Sequence, residues 1–161
     1  MNQAFSTSVE LKQIPQSKTF SYELLSGPEN MRITANGNIN WVPLVTQVDD
    51  YSFNVEVSDG IAVSKLQYNI YVNSPPVISS RPSEKFFITL GDSLFFPLES
   101  FDLNSNATLT WKLLSGPIDM ILNSEGVLIW KSNQLEHHSY EIQLSDGIDS
   151  AEWKGSIYVN T

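Results

Sequence analysis

Apolar side chains recur at every second position through most of this chain. Phe20, Tyr22 and Leu24 alternate with polar neighbours, as do Leu109, Trp111 and Leu113. Tyr51, Phe53, Val55 and Val57 repeat the pattern, echoed by Tyr140, Ile142 and Leu144. A period of two places alternate side chains on opposite faces of an extended strand, so each segment predicts a half-buried β-strand. Leu66, Tyr68, Ile70 and Val72 predict one more, matched later by Trp153, Ile157 and Val159, with Gly155 where Tyr68 stood. That glycine predicts a bulge or a close approach. No stretch holds a helical period, and turn residues interrupt the strands at short intervals. The fold class expected is all-β, of the sandwich kind.

The strands come in two sets. Offset by 89 positions, Phe20 to Trp41 align with Leu109 to Trp130 and share LLSGP, Met31 with Met120, Gly37 with Gly126, and Trp41 with Trp130. At an offset of 87, Phe53 to Ser74 align with Tyr140 to Thr161 and share SDGI and IYVN. Chance would give about one identity in fifteen, so the chain is an internal duplication.

Each shared motif has a structural reading. The Gly of LLSGP precedes Pro, whose ring keeps its neighbour out of the helical region, so the strand must end there. Met31 and Met120 then return an apolar group to the core. Asp59-Gly60 and Asp146-Gly147 predict hairpin turns that use positive φ. Gly37 and Gly126 lead into short strands carrying Trp41 and Trp130, each read as a core anchor or as an exposed binding ring. Asn73-Ser74-Pro75-Pro76 cannot continue a strand ladder and marks the boundary, giving domains 1–74 and 75–161.

The second copy opens with predicted strands Phe86 to Leu90 and Leu94 to Leu98, joined at Gly91-Asp92. Ala4 to Val9 match Ser93 to Leu98, and nothing matches Phe86 to Leu90, so the first copy is expected to lack its N-terminal strand. Either the chain is a segment of a longer protein, or the gap is an open edge through which the first copy self-associates.

Composition narrows the function classes. A net charge of −9, without clustered Lys or Arg, disfavours nucleic acid as a partner. The absence of cysteine removes disulfides, thiol nucleophiles and thiolate metal sites. No run of roughly 18 apolar residues offers a membrane span. The opening MNQAFSTSVELKQ lacks the basic start and apolar stretch of a signal peptide. His137-His138 is expected in a loop before Tyr140, and no Ser-His-Asp order, phosphate loop or HExxH occurs. The chain is therefore expected not to be an enzyme.

The ordered succession Y-x-L-L-S-G-P-x-x-M, G-x-x-x-W, F-x-V-x-V-S-D-G and I-Y-V-N resembles the dystroglycan-type cadherin-like repeat, grouped with putative Ig domains of bacterial surface proteins. The resemblance covers nearly the whole chain, twice. It implies two tandem Ig-like or cadherin-like Greek-key β-sandwiches, located extracellularly or at the cell surface. It also implies a candidate calcium site, because such relatives carry Asp-x-Asp where this chain has Asp102-Leu103-Asn104, joined by an aspartate equivalent to Asp146. Calcium takes six to eight oxygens, which these residues supply only in part. The first copy's counterpart loop, Gln13-Ile14-Pro15, has no acid, and solvated loop carboxylates are the alternative. No cofactor is required.

Two functions follow. One is a non-catalytic adhesion, interaction or spacer module of a larger secreted or cell-surface protein, with a protein or glycan as partner. The other is an accessory carbohydrate-binding module of an extracellular hydrolase. The second needs exposed aromatic rings, and Tyr71 and Tyr158, which alternate outward from the last strand of each copy, are the candidate ligand-binding residues.

Overall fold

The computed structural model describes residues 4–10 and 19–161. It divides into two compact units, Met1–Val72 and Asn73–Thr161, so Asn73 and Ser74 fall with the second unit. Among the described residues every regular element is a strand, and none is a helix able to cross a membrane.

The first unit holds β1 (Phe5–Ser8), β2 (Ser21–Ser26), β3 (Arg32–Ile33), β4 (Asn38–Trp41), β5 (Asp49–Ser58) and β6 (Val63–Val72). Two antiparallel sheets form, in the orders β1-β4-β3 and β2-β5-β6. Their inner faces meet in one core, with Met31, Ile39 and Trp41 from one side and Phe53, Val55 and Val57 from the other.

The second unit repeats this plan and extends it. Its strands are β7 (Val77–Ser80), β8 (Lys85–Thr89), β9 (Ser93–Pro97), β10 (Glu99–Phe101), β11 (Thr110–Ser115), β12 (Ile121–Leu122), β13 (Val127–Lys131), β14 (His137–Ser145) and β15 (Ser150–Asn160). The sheet orders are β12-β13-β9 and β11-β14-β15-β8, with β7 and β10 paired separately. β8 runs parallel to β15, so an early strand closes the sheet beside the last. Among the described residues of the first unit nothing corresponds to β7 or β8, and β6 stands at the edge of its sheet. The burial difference is direct: Ile157 on β15 is fully buried, whereas its counterpart Ile70 is half-buried.

The shared motifs sit where their physics requires. β2 and β11 both end at the Ser of LLSGP after an irregularity in register. The chain then turns through Pro28 and Pro117, whose carbonyls accept the Met31 and Met120 amides at 3.2 and 3.1 Å. A Cβ on Gly27 would lie 3.2 Å from the Met31 sulfur, and one on Gly116 2.9 Å from that of Met120. The Gly of the motif therefore makes room for the Met three places after the Pro. In each SDG turn the Asp Oδ1 accepts two backbone N–H groups, those of Ile61 and Ala62 or of Ile148 and Asp149. Gly60 and Gly147 adopt φ of 84° and 91° there.

Trp41 and Trp130 are each 2% exposed, which settles them as core anchors. Their Nε1 groups donate to the carbonyls of Glu29 and Ile118, both at 3.1 Å, so the indole is buried without a lost hydrogen bond. Burying such a ring contributes on the order of 5 kcal/mol of gross transfer free energy.

At Gly155 the ladder is continuous, so the close approach explains the residue and a bulge does not. Tyr140 lies directly opposite, and a Cβ on Gly155 would sit 2.6 Å from its Cε1. The first unit solves the same problem in reverse, with Phe53 stacked on Tyr68 at 5.0 Å.

Candidate functional site

The residues expected around a metal gather about the start of the second unit. The Asn73 side-chain amide donates to Asp146 Oδ2 at 2.8 Å and to Asp149 Oδ2 at 3.1 Å. The next residue, Ser74, donates its backbone N–H to Asn104 Oδ1 at 2.7 Å, and the Asn104 backbone in turn donates to Asp102 Oδ1 at 2.8 Å. Asp102, Asn104 and Asp146 are thus strung along one hydrogen-bonded chain whose links are N–H donors of Asn73, Ser74 and Asn104. Burial pushes the Asp146 carboxyl up, but hydrogen bonds from the Asp149 backbone, the Asn73 amide and the Ile148 backbone outweigh it and hold its pKa below the ordinary value. Asp102 Oδ2 is buried and accepts no hydrogen bond among the described residues. Among the described residues no group of three or more His, Cys, Asp or Glu is placed to hold a metal ion. The Asn73 amide nitrogen thus bridges the carboxylates of Asp146 and Asp149. The first copy's Gln13-Ile14-Pro15 lies outside the described residues.

The second cluster is aromatic. Tyr71, 45% exposed, stands on β6 opposite Asp50. Tyr158 is half-buried on the outer face of the four-stranded sheet, between two other rings. On one side is Phe87 of β8, stacked at 5.2 Å, and on the other His137 of β14, at 4.6 Å. The pairings His137 with Tyr158 and Tyr158 with Phe87 align these rings across three neighbouring strands. Because the rings face one another, Tyr158 is half-buried between them, and the exposed rings are Phe87, at 62%, and His137.

The histidines are not in a loop. Both pair with β15, His137 with Tyr158 and His138 with Ile157, which draws them into the start of β14. His138 points inward, 4.9 Å from the Trp130 ring, so the pair shares no ligand.

Beside the aromatic row, two residues along the strands, lies a row of small polar groups. Ser139 pairs with Ser156, and Ser156 with Lys85. Beyond them Lys154 bonds Glu141 at 2.8 Å, and the Glu141 hydrogen bond and charge raise the Lys154 pKa. The serine row and the Glu141–Lys154 pair line a trough of about 320 Å3 across the sheet, running from Ser115 on β11 to Glu84 ahead of β8. Sequence alternation singled out Tyr158; Phe87 carried the same outward signal within Lys85–Thr89, but its alignment with Tyr158 depends on the parallel pairing of β8 with β15.

No family model matches the chain, and no curated protein does. Solved structures resemble it in fold. Extracellular domains 3–5 of Drosophila OTK superpose with a TM-score of 0.65 at 11% identity, over 89% of this chain and 52% of that one. Immunoglobulin domains 1–4 of Sidekick-1 do so at 0.57 and 12% identity, over 89% of this chain and 41% of theirs. Human protocadherin-24 EC1-2 aligns at 0.50 and 12% identity, over 92% and 86% respectively. An endo-fucoidan hydrolase of glycoside hydrolase family 107 aligns with 98% of this chain at a TM-score of 0.40 and 20% identity, and the chain spans only 26% of it. The fold is that of tandem Ig-like sandwiches.

Proposed function

We propose that this chain is a non-catalytic interaction or spacer module of a larger secreted or cell-surface protein, of the dystroglycan-type cadherin-like kind. The observation that carries the reading is the pair of tandem sandwiches, similar in fold to the extracellular domains of OTK. The SDG caps and the buried Trp41 and Trp130, repeated between the copies, are committed to turns and core. Recognition therefore falls to the sheet faces and edges, where the two copies differ. Capture of one saturable partner from an array of purified extracellular domains, by the intact chain, tests the reading. Absence of any partner reduces the module to a spacer.

A second contact follows from the half-buried Ile70. On the second unit the equivalent Ile157 is sealed by β8, and a parallel strand from another molecule added beside β6 would cover Ile70 in the same way. Light scattering of the intact chain over a concentration series tests it: a strict monomer throughout removes this contact.

A further inference from the structure

From the trough on the outer face of the β11-β14-β15-β8 sheet we infer that the second unit binds a neutral oligosaccharide. The site reads from the residues upward. Period-two alternation sends Ser139, Glu141, Lys154, Ser156 and Tyr158 to the same face, and the ladder places them in successive cross-strand rows. Along the strands the rows are roughly 7 Å apart, and the four strands span roughly 14 Å across, so the trough is long and shallow. Its floor offers hydroxyls from Ser139 and Ser156. One wall is the Glu141 and Lys154 ion pair, which presents a carboxylate acceptor and ammonium donors side by side. Outside the trough's own lining, two residues further along the same face, stands the aromatic row of His137, Tyr158 and Phe87, within reach of a ligand longer than the trough.

This combination suits a sugar better than a peptide or an anion. Sugars carry hydroxyls that both donate and accept, together with C–H faces that pack on aromatic rings. Lys85 and Lys154 balance Glu84 and Glu141 within the trough, while the chain as a whole carries −9. An acidic glycan would meet an unfavourable field and no net cationic site, which selects an uncharged ligand.

The first copy is the internal control. The same rows there are Asp50 with Tyr71, Ser52 with Asn69, and Asn54 with Gln67. The sandwich forms with neither the three-ring row nor the ion pair, so folding does not demand them. The inference holds whatever protein the module belongs to, and goes beyond the interaction reading by naming a ligand class and a face.

The test is a titration of the intact, 15N-labelled chain with cellohexaose, xylohexaose and mannohexaose, with a sulfated heparin hexasaccharide as the charged comparator. Saturable amide shifts with at least one neutral sugar, centred on Ser139, Ser156, Lys85 and Tyr158, are expected. Ser156→Trp, which fills the trough from an outward-facing position, abolishes them, and Phe87→Ala weakens binding up to about tenfold. If Ser156→Trp lowers the melting temperature, Lys154→Met, on the same wall, replaces it. No saturable shift with any neutral sugar, shifts mapping elsewhere, or tighter binding of the sulfated sugar overturns the inference. Each of these leaves capture of a protein partner untouched, so the two readings fail separately.

Discussion

Gly155→Ala tests the packing logic of the duplication at a single atom. The new methyl would approach within 2.6 Å of Tyr140 Cε1, well inside contact distance, and both residues sit in the middle of a regular ladder. Overpacking of this size costs about 1–3 kcal/mol. Gly155 is not among the positive-φ glycines, so the lost entropy of the unfolded chain returns about 0.4–1 kcal/mol and no backbone strain is added. The net expectation is a loss of about 1–2 kcal/mol. In a Tyr140→Leu background the ring is gone, and the same change becomes neutral or stabilising. The pair should therefore show a coupling of about 2 kcal/mol in a double-mutant cycle. Urea unfolding followed by tryptophan fluorescence is the assay, because Trp111, Trp130 and Trp153 lie in the second unit and Trp41 alone in the first. If Gly155→Ala costs the same with and without the Tyr140 ring, the close approach is not why glycine stands there.

Three further outcomes are expected. The Tyr140 pKa is raised because its hydroxyl is buried, against a smaller lowering from Trp153, so its stabilising contribution is complete below the unfolded value near 10 and is lost as pH rises through the folded one. Tyr140→Phe should flatten that alkaline limb in melting curves between pH 8 and about 11, and an unchanged limb refutes the assignment. Asp146 is the opposite case: its lowered pKa contributes stability present above the unfolded value near 3.9 and lost as pH falls through the folded one. Asn73→Ala should move the Asp146 pKa up in an NMR titration, and no movement would show that the Asn73 bond is idle. Millimolar calcium should leave the melting temperature of the intact chain unchanged, because the Asn73 amide already bridges Asp146 and Asp149; a rise of several degrees would show that the amide yields to the ion.

The strands that alternate cleanly were legible in the sequence, because period-two burial is a local property. LLSGP was legible as a strand exit, but the Met sulfur that requires its glycine was not, since that contact needs the turn already folded. β7 and β10 escaped because Val77–Ser80 and Glu99–Phe101 are too short to alternate, and their pairing joins segments about twenty residues apart. His137 and His138 read as loop residues because only the partner strand β15 converts them to strand. Tyr158 could be chosen from alternation alone. Its neighbours Phe87 and His137 could not, because register across strands, with β8 parallel to β15, is fixed by tertiary packing.

The proposed function is a non-catalytic module that engages any partner through its sheet faces. The most direct measurement is incubation of the intact chain with arrayed extracellular domains and neutral glycans, reading retained binding and ligand integrity by mass spectrometry. Saturable retention of an intact ligand is the result expected. Cleavage or modification of the retained ligand would contradict the account.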